Sequence, residues 1–587
     1  MNAQPATPLR RRGILLLATA TLLAIPVVTV SATAARATTT PMLNGSFIQP
    51  PLVDSLSNTQ LAAEDGDLTR AGITQQVLQW TADSKADTTV YPSGLTGYTQ
   101  NTSTDVLGRA LSAADTAGIT EYVGLATNDD WWTNYANNAT WLSDQATLAN
   151  ELADDIAASY GSHTSFGGWY LPFEVDNWNF TTSSSWSAME TFYTTVADHL
   201  HTLTPGLPVI IAPFFNTAGG QTSSQWTTMW ESILANAPID VVALQDGIGD
   251  GHATNGQLAS WYAATDTAIT NASPSTQLWA DTETYDTSFH PLAIAAVVAD
   301  MGQEQPYVSD FLSFSYDHYD SPVQVGSLYD TTYRDYVTNG TVETNAPTTP
   351  TGLSATAANA LTVNLSWTAS SDDTGVAGYQ IYRNGTLVKT LLGSATSFTD
   401  GQLDPSTTYT YSVAAFDAAG NVSATSSTAS ATTPSGPSNP TNLASGKSYT
   451  ATLTADPSYP DSGGELTNGT YGTTSYSNAA WQGRNTGATY SFTVDLGSTK
   501  TIKEVDSDWL QVRSVFIFLP SQLTVAISAN GSSYTTIGTI NAPNVGSADQ
   551  SHNYRLIGLN NSARYVRVTV TPGSSAWSFT DELQVRN

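Results

Sequence analysis

The sequence predicts a (β/α)8 barrel followed by two all-β modules. From Pro41 to about Tyr336, short apolar runs alternate with longer amphipathic segments, which is the pattern of strand–helix units and a parallel sheet. Eight such units in a segment of this length match one closed TIM barrel. After Thr338 the helical segments stop and alternating strands follow, which indicates a sandwich and a jelly roll.

The eight predicted strands are apolar runs bounded by polar or turn-forming residues. They are Leu43–Gln49, Ile73–Trp80, Ile119–Ala126, Phe166–Glu174, Pro208–Phe215, Ile239–Gln245, Gln277–Glu283 and Phe311–Tyr316. The segments between them have helical periodicity, for example Thr104–Ala117, Ser143–Tyr160, Ser187–Thr202, Ser224–Ala235 and Gln257–Thr270. The active site of such a barrel lies at the carboxyl ends of its strands.

Charge and cysteine content exclude several classes of function. The formal net charge is −31, with only 19 Lys and Arg, so the surface repels phosphate backbones and anionic lipids. Nucleic acid is therefore not an expected partner. The chain has no cysteine, which excludes disulfides, a thiolate nucleophile and a zinc thiolate site. No metal or other cofactor is expected for catalysis.

The first 37 residues predict a secretory signal. Arg10–Arg12 are basic, Gly13–Val30 are mostly apolar, and Ala35 and Ala37 supply the small residues of a cleavage site. A membrane anchor is the alternative, but three threonines and Pro26 interrupt the apolar run. We therefore expect a secreted, extracellular protein without membrane association after signal removal, and we expect a monomer.

Polar and aromatic side chains follow the predicted strands. Aromatic faces stack on pyranose rings and polar groups bind sugar hydroxyls, so a rim of both kinds predicts a sugar-binding cleft. Trp131 and Trp132 run from a strand into a polar loop, which favours stacking on substrate over a place in the core. The candidate substrate-binding residues are Trp80, Asp129, Trp131, Trp132, Asp176, Asn216, Gln245, Asp246, Asp281, Tyr316 and His318.

The barrel segment, residues 42–336, resembles bacterial glycoside-hydrolase-like barrels that are catalogued as a domain of unknown function. The residues that carry the resemblance are Asn44–Ile48, Tyr170–Glu174, Ile211–Phe214, Leu244–Gly249 and Trp279–Glu283. The resemblance implies glycosidase-like chemistry without fixing a substrate. We therefore expect a glycoside hydrolase, and the alternative is a noncatalytic glycan-binding protein that has the same fold.

Two glutamates are the candidate catalytic residues, because glycosidic cleavage usually needs two carboxyl groups. Glu174 ends the fourth predicted strand and Glu283 the seventh, which resembles the placement of the acid/base and the nucleophile in clan A retaining glycosidases. Either glutamate could instead pair with an arginine or cap a helix. Asp246 is the rival carboxylate. Asp281 shares strand parity with Glu283, so both side chains can face the barrel interior.

The rest of the chain predicts two β modules. Residues 346–433 resemble a fibronectin type III module through Trp367, Tyr379 and Leu403–Tyr409, which fits a tyrosine corner. The predicted parts are the signal 1–37, the barrel 38–337, a linker 338–345, the fibronectin module 346–433, a linker 434–441 and the last module 442–587.

Residues 442–587 resemble a factor V/VIII type C (discoidin) domain of the carbohydrate-binding kind. The matching residues are Leu443–Gly446, Leu466–Gly469, Tyr490–Gly497, Arg564–Val568 and Asp581–Val585. The resemblance implies a structural Ca²⁺ held by Asn468, Glu582 and backbone carbonyls, which are suitable hard oxygen ligands. The family commonly has Asp where this chain has Asn468.

Overall fold

The structure is a computed structural model that describes residues 40–436, 441–545, 548–573 and 577–587. The signal prediction for residues 1–37 lies outside the described residues. The described chain divides into two compact units, one of residues 40–344 with 418–420 and one built from 345–417 and 421–587. Within the described residues, no helix has the length and apolar character that crossing a membrane requires.

The first unit contains the predicted closed parallel barrel. Its strands, β1 to β8, are Gly45–Ile48, Gln75–Leu78, Thr120–Gly124, Phe166–Tyr170, Val209–Ile211, Val241–Gln245, Gln277–Glu283 and Asp310–Phe314. Each strand pairs in parallel with the next, and β1 also pairs with β8 and so closes the barrel. The eight strands fall within the predicted segments to within one residue, and the predicted fold class is confirmed.

Helices connect the strands. They are α1 Pro50–Ser55, α2 Asn58–Arg70, α3 Val106–Ala117, α4 Trp131–Asn134, α5 Ala139–Tyr160, α6 Ser183–Leu203, α7 Ser223–Leu234, α8 Asn255–Ala272, α9 Ile294–Glu304, α10 Tyr316–Tyr319, α11 Pro322–Val325 and α12 Ser327–Asn339. Local sequence explains several boundaries. Ser57 and Gln60 form a capping box at the start of α2, and Gly118 ends α3 in the left-handed conformation.

Alternation along β7 decides which of its side chains reach the barrel interior. The ring of Trp279 on β7 lies 6.1 Å from that of Tyr122 on β3, a strand that β7 does not pair with, so both rings fill the interior. Asp281 and Glu283 share the parity of Trp279 and point the same way. Thr282 points outward and donates to Glu304 Oε2 of α9 at 2.8 Å.

The fourth strand is shorter than the sequence predicts. We expected one strand over Phe166–Glu174, but β4 ends at Tyr170. Pro172 lacks the N–H that a ladder position needs, which accounts for the early end. Beyond it the chain stays extended, and Val175 O accepts the N–H of Phe214 at 3.2 Å. Four strands of two residues each, between Ala82 and Thr127, form a small sheet that we did not predict.

The fibronectin module is a sandwich of two sheets. Its strands, β9 to β15, are Thr351–Asn359, Thr362–Thr368, Val376–Arg383, Thr386–Leu392, Ser397–Asp400, Thr408–Asp417 and Ala429–Thr432. Trp367 is in the core, and its ring meets that of Tyr379 edge to face at 5.3 Å. The Tyr409 hydroxyl accepts the N–H of Asp404 at 2.9 Å, which is the bond expected of a tyrosine corner.

The last module packs a five-stranded sheet on a four-stranded one. Its strands, β16 to β24, are Tyr449–Ala451, Gln482–Asn485, Tyr490–Ile502, Glu504–Gln511, Gln522–Ser528, Thr535–Asn541, Gln550–Leu556, Asn561–Thr571 and Trp577–Arg586. The sheet orders are β16-β18-β23-β20-β21 and β17-β24-β19-β22. Aliphatic side chains from both sheets and the ring of Trp509 fill the core between them.

Candidate active site

Glu174 lies at the carboxyl end of β4, in the extended segment that follows Pro172. Its side chain is only 4% exposed. The side-chain amide of Gln245, at the end of β6, donates to Glu174 Oε1 at 2.8 Å and to Ala212 O at 3.0 Å. Gln245, predicted to bind substrate, therefore holds Glu174 from a strand two places along the barrel.

Glu283 is the last residue of β7 and is fully buried, with its side chain on the interior face. Its Oε2 accepts the backbone N–H of Asp250 at 3.1 Å. Asp250 belongs to the turn after β6, where Gly247 and Gly251 both have φ of +70°, a conformation that residues with a Cβ rarely adopt. The glycines of Gly247–Gly251 thus allow the turn that brings this N–H to Glu283.

A third carboxylate and a tyrosine lie near Glu174 in the barrel interior. Asp281 is 1% exposed and pairs in register with Gln245. Burial raises the pKa of the Tyr170 hydroxyl well above its usual value, and the charges of Glu174 and Asp281 raise it further. That buried hydroxyl has no hydrogen-bond partner among the described residues. Glu174, Asp281 and Tyr170 therefore share one buried interior site.

Asp246 does not belong to this interior site, which disfavours it as the rival catalytic residue. Its Oδ2 accepts the N–H of Glu283 at 3.2 Å and its Oδ1 that of Ile248 at 3.0 Å. Burial raises the pKa of Asp246 well above its usual value, and the negative charges of Glu283 and of two acids on α9 raise it further. Gln245 points inward to Glu174, so the next side chain points toward the helices. Asp246 therefore positions the backbone of Glu283 from outside the barrel interior.

Trp131 and Tyr316, two predicted substrate contacts, pack against other side chains of the barrel. Trp131 is 2% exposed, and its ring stacks on Phe173 at 4.9 Å and on Phe180 at 5.6 Å. Tyr316 is fully buried and donates to Asp330 Oδ1 at 2.6 Å. It begins helix α10 instead of ending a strand.

Asp176 and Asn216, also predicted to bind substrate, hold the loops of the rim. Asp176 Oδ1 accepts the backbone N–H groups of Trp178 at 2.6 Å and Asn179 at 2.7 Å. Asn216 Oδ1 accepts the N–H of Ala218 at 2.9 Å. Both side chains therefore fix the backbone that surrounds the cleft.

The remaining predicted residues lie partly exposed at the carboxyl ends of the strands. Trp80, Asp129 and Trp132 are half-buried, and the ring of Trp132 lies 6.3 Å from that of Phe214. His318 is half-buried, and its Nε2 atom is enclosed by protein. Burial lowers the pKa of His318 to about 4. His318 is therefore neutral at ordinary pH.

Three residues at the rim were missed. Asn177 is fully buried, and its amide donates to the carbonyls of Asn216, Gly219 and Gln221 at 3.0–3.1 Å. Trp178 and Phe289 are exposed aromatics in the loops after β4 and β7. Loops lack the periodicity that distinguishes core from surface, but Trp178 directly follows the acidic end of the strand, a signal that could have identified it.

The predicted calcium ligands lie at one end of the last module. Glu582 Oε2 accepts the N–H of Gly469 at 2.9 Å, and Asn468 Oδ1 accepts that of Thr470 at 2.6 Å. Burial raises the pKa of Glu582 to about 7. Among the described residues, no three acidic or histidine side chains gather as metal ligands would, so an ion here would depend on backbone carbonyls. The Ca²⁺ stays a prediction.

Comparison with known families assigns all three parts. Residues 43–326 match the family model described as "Domain of unknown function (DUF4434)". The barrel is a DUF4434 domain. Residues 348–432 match the fibronectin type III domain and residues 448–583 the F5/8 type C domain.

Curated relatives match over short stretches. Exoglucanase B of Cellulomonas fimi is 56% identical over 86 residues, which is 15% of this chain and 8% of the relative. Chitinase Chi52 of Paenibacillus xylanexedens is 49% identical over 86 residues, 15% of this chain and 16% of the relative. This chain thus spans less than a fifth of either relative, over a length close to that of one fibronectin module.

Solved structures are similar at low identity. One, named as a candidate alpha-L-fucosidase of Bacteroides thetaiotaomicron VPI-5482, is 19% identical and has a TM-score of 0.43 over 53% of this chain and 99% of that one. The endo-beta-1,4-mannanase of Thermotoga petrophila is 12% identical, with a TM-score of 0.35 over 68% of this chain and 99% of that one.

Proposed function

We propose that the DUF4434 barrel hydrolyses glycosidic bonds in a polysaccharide or another glycan. The observation that carries the proposal is the pair Glu174 and Glu283, two buried glutamates at the ends of β4 and β7. Glycosidic cleavage uses two carboxyl groups on one cleft, and the carboxyl ends of barrel strands are where enzymes of this fold place them.

In the proposed reaction, Glu174 protonates the leaving oxygen while Glu283 attacks the anomeric carbon, and a covalent glycosyl-enzyme forms. Glu174 then removes a proton from water, which attacks the same carbon and releases the sugar with its original configuration. Gln245 orients Glu174, and the N–H of Asp250 orients one oxygen of Glu283. Two successive displacements predict net retention.

The other two modules support action on a polymer outside the cell. The curated relatives are named as an exoglucanase and a chitinase, both enzymes of glycan degradation. We propose that the protein is secreted and that the F5/8 type C domain holds the barrel near insoluble glycan, since a tethered binding module raises the local substrate concentration.

The test is the release of reducing ends from a panel of plant, microbial and host glycans by purified protein. We expect at least one glycan to be cleaved, and the Glu283→Gln variant, which keeps the shape of the side chain, to leave that glycan intact. The variant also controls for contaminating hydrolases. Glycan binding without cleavage across the panel would contradict the proposal and favour a noncatalytic glycan-binding protein.

A further inference from the structure

Two aromatic side chains at the barrel mouth are exposed although they are apolar. Trp178 is 50% exposed and Phe289 is 45% exposed. Trp178 lies in the loop after β4 and Phe289 in the loop after β7; Glu174 follows β4 and Glu283 ends β7. Rings that keep one face open next to polar groups are typical of sugar-binding sites.

The ring of Trp178 is held in one orientation. Its Nε1 donates to Asn216 O at 3.3 Å, and Asp176 fixes its backbone N–H at 2.6 Å. Gly219 and Gly220 pass beneath it so closely that a Cβ on Gly220 would lie 2.5 Å from its Cδ1. Glycine backbone therefore covers part of the ring, and half of the side chain is left to solvent.

Phe289 is displayed at a conformational cost. Its φ is +60°, which is unfavourable for a residue with a Cβ, and side chains held in this way are concentrated at functional sites. Asp286 Oδ1 holds the turn by accepting the N–H groups of Ser288 at 2.8 Å and His290 at 3.0 Å. The ring lies parallel to that of Tyr285, with 5.7 Å between the centroids. A phenylalanine at this position is explained neither by burial of its ring nor by a favourable backbone conformation.

The Phe289 turn is also joined to the candidate nucleophile. Tyr285 packs between Phe289 and Tyr319, and its hydroxyl donates to Asp250 Oδ1 at 2.9 Å. The N–H of Asp250 in turn donates to Glu283. The ring and the carboxylate are therefore held by one connected set of side chains.

The barrel offers few cations to an anionic ligand. Residues 40–344 contain four Lys and Arg side chains, and all of them are engaged elsewhere. Lys85 pairs with Asp130, Arg70 with Asp67 and Arg334 with Asp330. Arg109 donates to the carbonyls of Val53 and Leu56. Sugar carboxylates and sulfates usually need such groups, so the mouth fits an uncharged sugar.

We propose that Trp178 and Phe289 are stacking platforms for an uncharged glycan chain that crosses the mouth, with Glu174 and Glu283 between them. The inference rests on the proposed function, because the chain it describes is the substrate. β4 and β7 are three strands apart, which corresponds to about 14 Å along the barrel wall. That span exceeds one pyranose ring, so the site fits an internal stretch of a chain.

The test is affinity electrophoresis of the full chain in native gels that each contain one soluble polysaccharide. The uncharged ligands are hydroxyethyl cellulose, glucomannan and glycol chitin, and the anionic ones are polygalacturonate and alginate. We expect retardation by at least one uncharged ligand. Trp178→Ala and Phe289→Ala should each weaken that binding about five- to tenfold, which is the loss of one stacking contact.

Matched variants separate stacking from general damage. Trp178→Phe keeps a ring and should retain most of the binding, and Tyr307→Ala, which alters a half-buried aromatic at the amino end of β8, should change nothing. The platforms lie on different loops, so the losses should multiply in the double Ala variant. Far-UV circular dichroism of each variant reports whether it has folded.

The outcomes distinguish this inference from the proposed hydrolysis. Retardation that is absent, limited to the anionic gels, or unchanged in both Ala variants overturns the platforms, even if Glu283→Gln abolishes cleavage. Ring-dependent retardation together with normal cleavage by both Glu→Gln variants overturns the catalytic assignment and leaves the platforms standing.

Discussion

Buried carboxylates have different partners in the barrel mouth and in the F5/8 type C domain. In that domain, two acids with little exposure pair with arginines: Glu504 with Arg555 at 2.7 Å and Asp461 with Arg484 at 3.0 Å. At the mouth, Glu174 accepts a hydrogen bond from a neutral amide and Glu283 accepts one from a backbone N–H. All four Lys and Arg side chains of residues 40–344 are engaged elsewhere.

The difference separates acids that hold structure from acids that can change charge. An arginine stabilises the ionised carboxylate, and removing either partner leaves a buried charge uncompensated. A neutral donor orients a carboxyl group and stabilises its ionised form less. Since an acid/base residue must gain and lose a proton in each cycle, Glu174 has the surroundings that proton transfer requires.

The largest effect that we expect is on turnover after changes at the mouth. Glu174→Gln and Glu283→Gln should each lower kcat at least about 10³-fold, because proton transfer or nucleophilic attack is lost while the shape is kept. Initial rates on the glycan that the panel identifies measure this effect. Melting temperatures should change little. A rate within tenfold of wild type for either variant would remove that glutamate from the mechanism.

The matched change in the F5/8 type C domain should lower the stability of the fold and leave turnover unchanged. Glu504→Gln leaves the Arg555 guanidinium without its carboxylate, and breaking a buried pair in this way costs about 3 kcal/mol. Urea unfolding should therefore show a loss of stability, while kcat on a soluble oligosaccharide stays at the wild-type value. If the variant instead loses turnover in its folded state, the division between structural and catalytic acids is wrong.

Asp246 provides an intermediate case. Asn at this position keeps one acceptor oxygen, which can still take the N–H of Glu283 while that of Ile248 loses its partner, so we expect Asp246→Asn to lower kcat about tenfold or less. Asp246→Ala removes the acceptor and should lower kcat further, with KM little changed. Steady-state kinetics of the two variants separates these effects. A loss in Asp246→Asn as large as that in Glu283→Gln would return Asp246 to the catalytic pair.

The smallest effect concerns pH. Burial raises the pKa of Glu64 to about 9, of Asp65 to about 8 and of Glu304 to about 8, so the folded barrel favours their neutral forms. A folded pKa above the unfolded one gives stability that is fully present below the unfolded pKa, near 4, and is lost progressively as pH rises to the folded pKa of about 8 to 9. The melting temperature should therefore fall by several degrees between pH 6 and pH 9.

A control variant tests whether the pH dependence of the melting temperature comes from the barrel. Glu64→Gln cannot ionise, so its melting temperature should depend less on pH than that of wild type. A melting temperature that rises toward pH 9 would show that these carboxyl groups are ionised in the folded protein.

The fold could be predicted because its signals are local. Eight apolar runs with turns between them specify eight strands, and the period of two places Asp281 and Glu283 on one face. The tyrosine corner at Tyr409 and the core position of Trp367 follow from motifs of the same short range.

The site was harder to predict because it depends on contacts between distant segments. Trp131 and Trp132 are neighbours with similar surroundings in sequence, and only the packing of Phe173 and Phe180 decides that Trp131 is buried. Asn177 acts through the carbonyls of residues about 40 positions away, which no local pattern reveals.

The most direct test of the central claim uses azide and an activated aryl glycoside of the sugar that the panel identifies. Glu174→Ala still forms the glycosyl-enzyme on Glu283, so azide should give a glycosyl azide with the configuration of the substrate. Glu283→Ala lacks the nucleophile, so azide should attack directly and give the opposite configuration. Proton NMR distinguishes the two anomers. The same configuration from both variants, or no azide adduct from either, would contradict the assignment of Glu174 as acid/base and Glu283 as nucleophile.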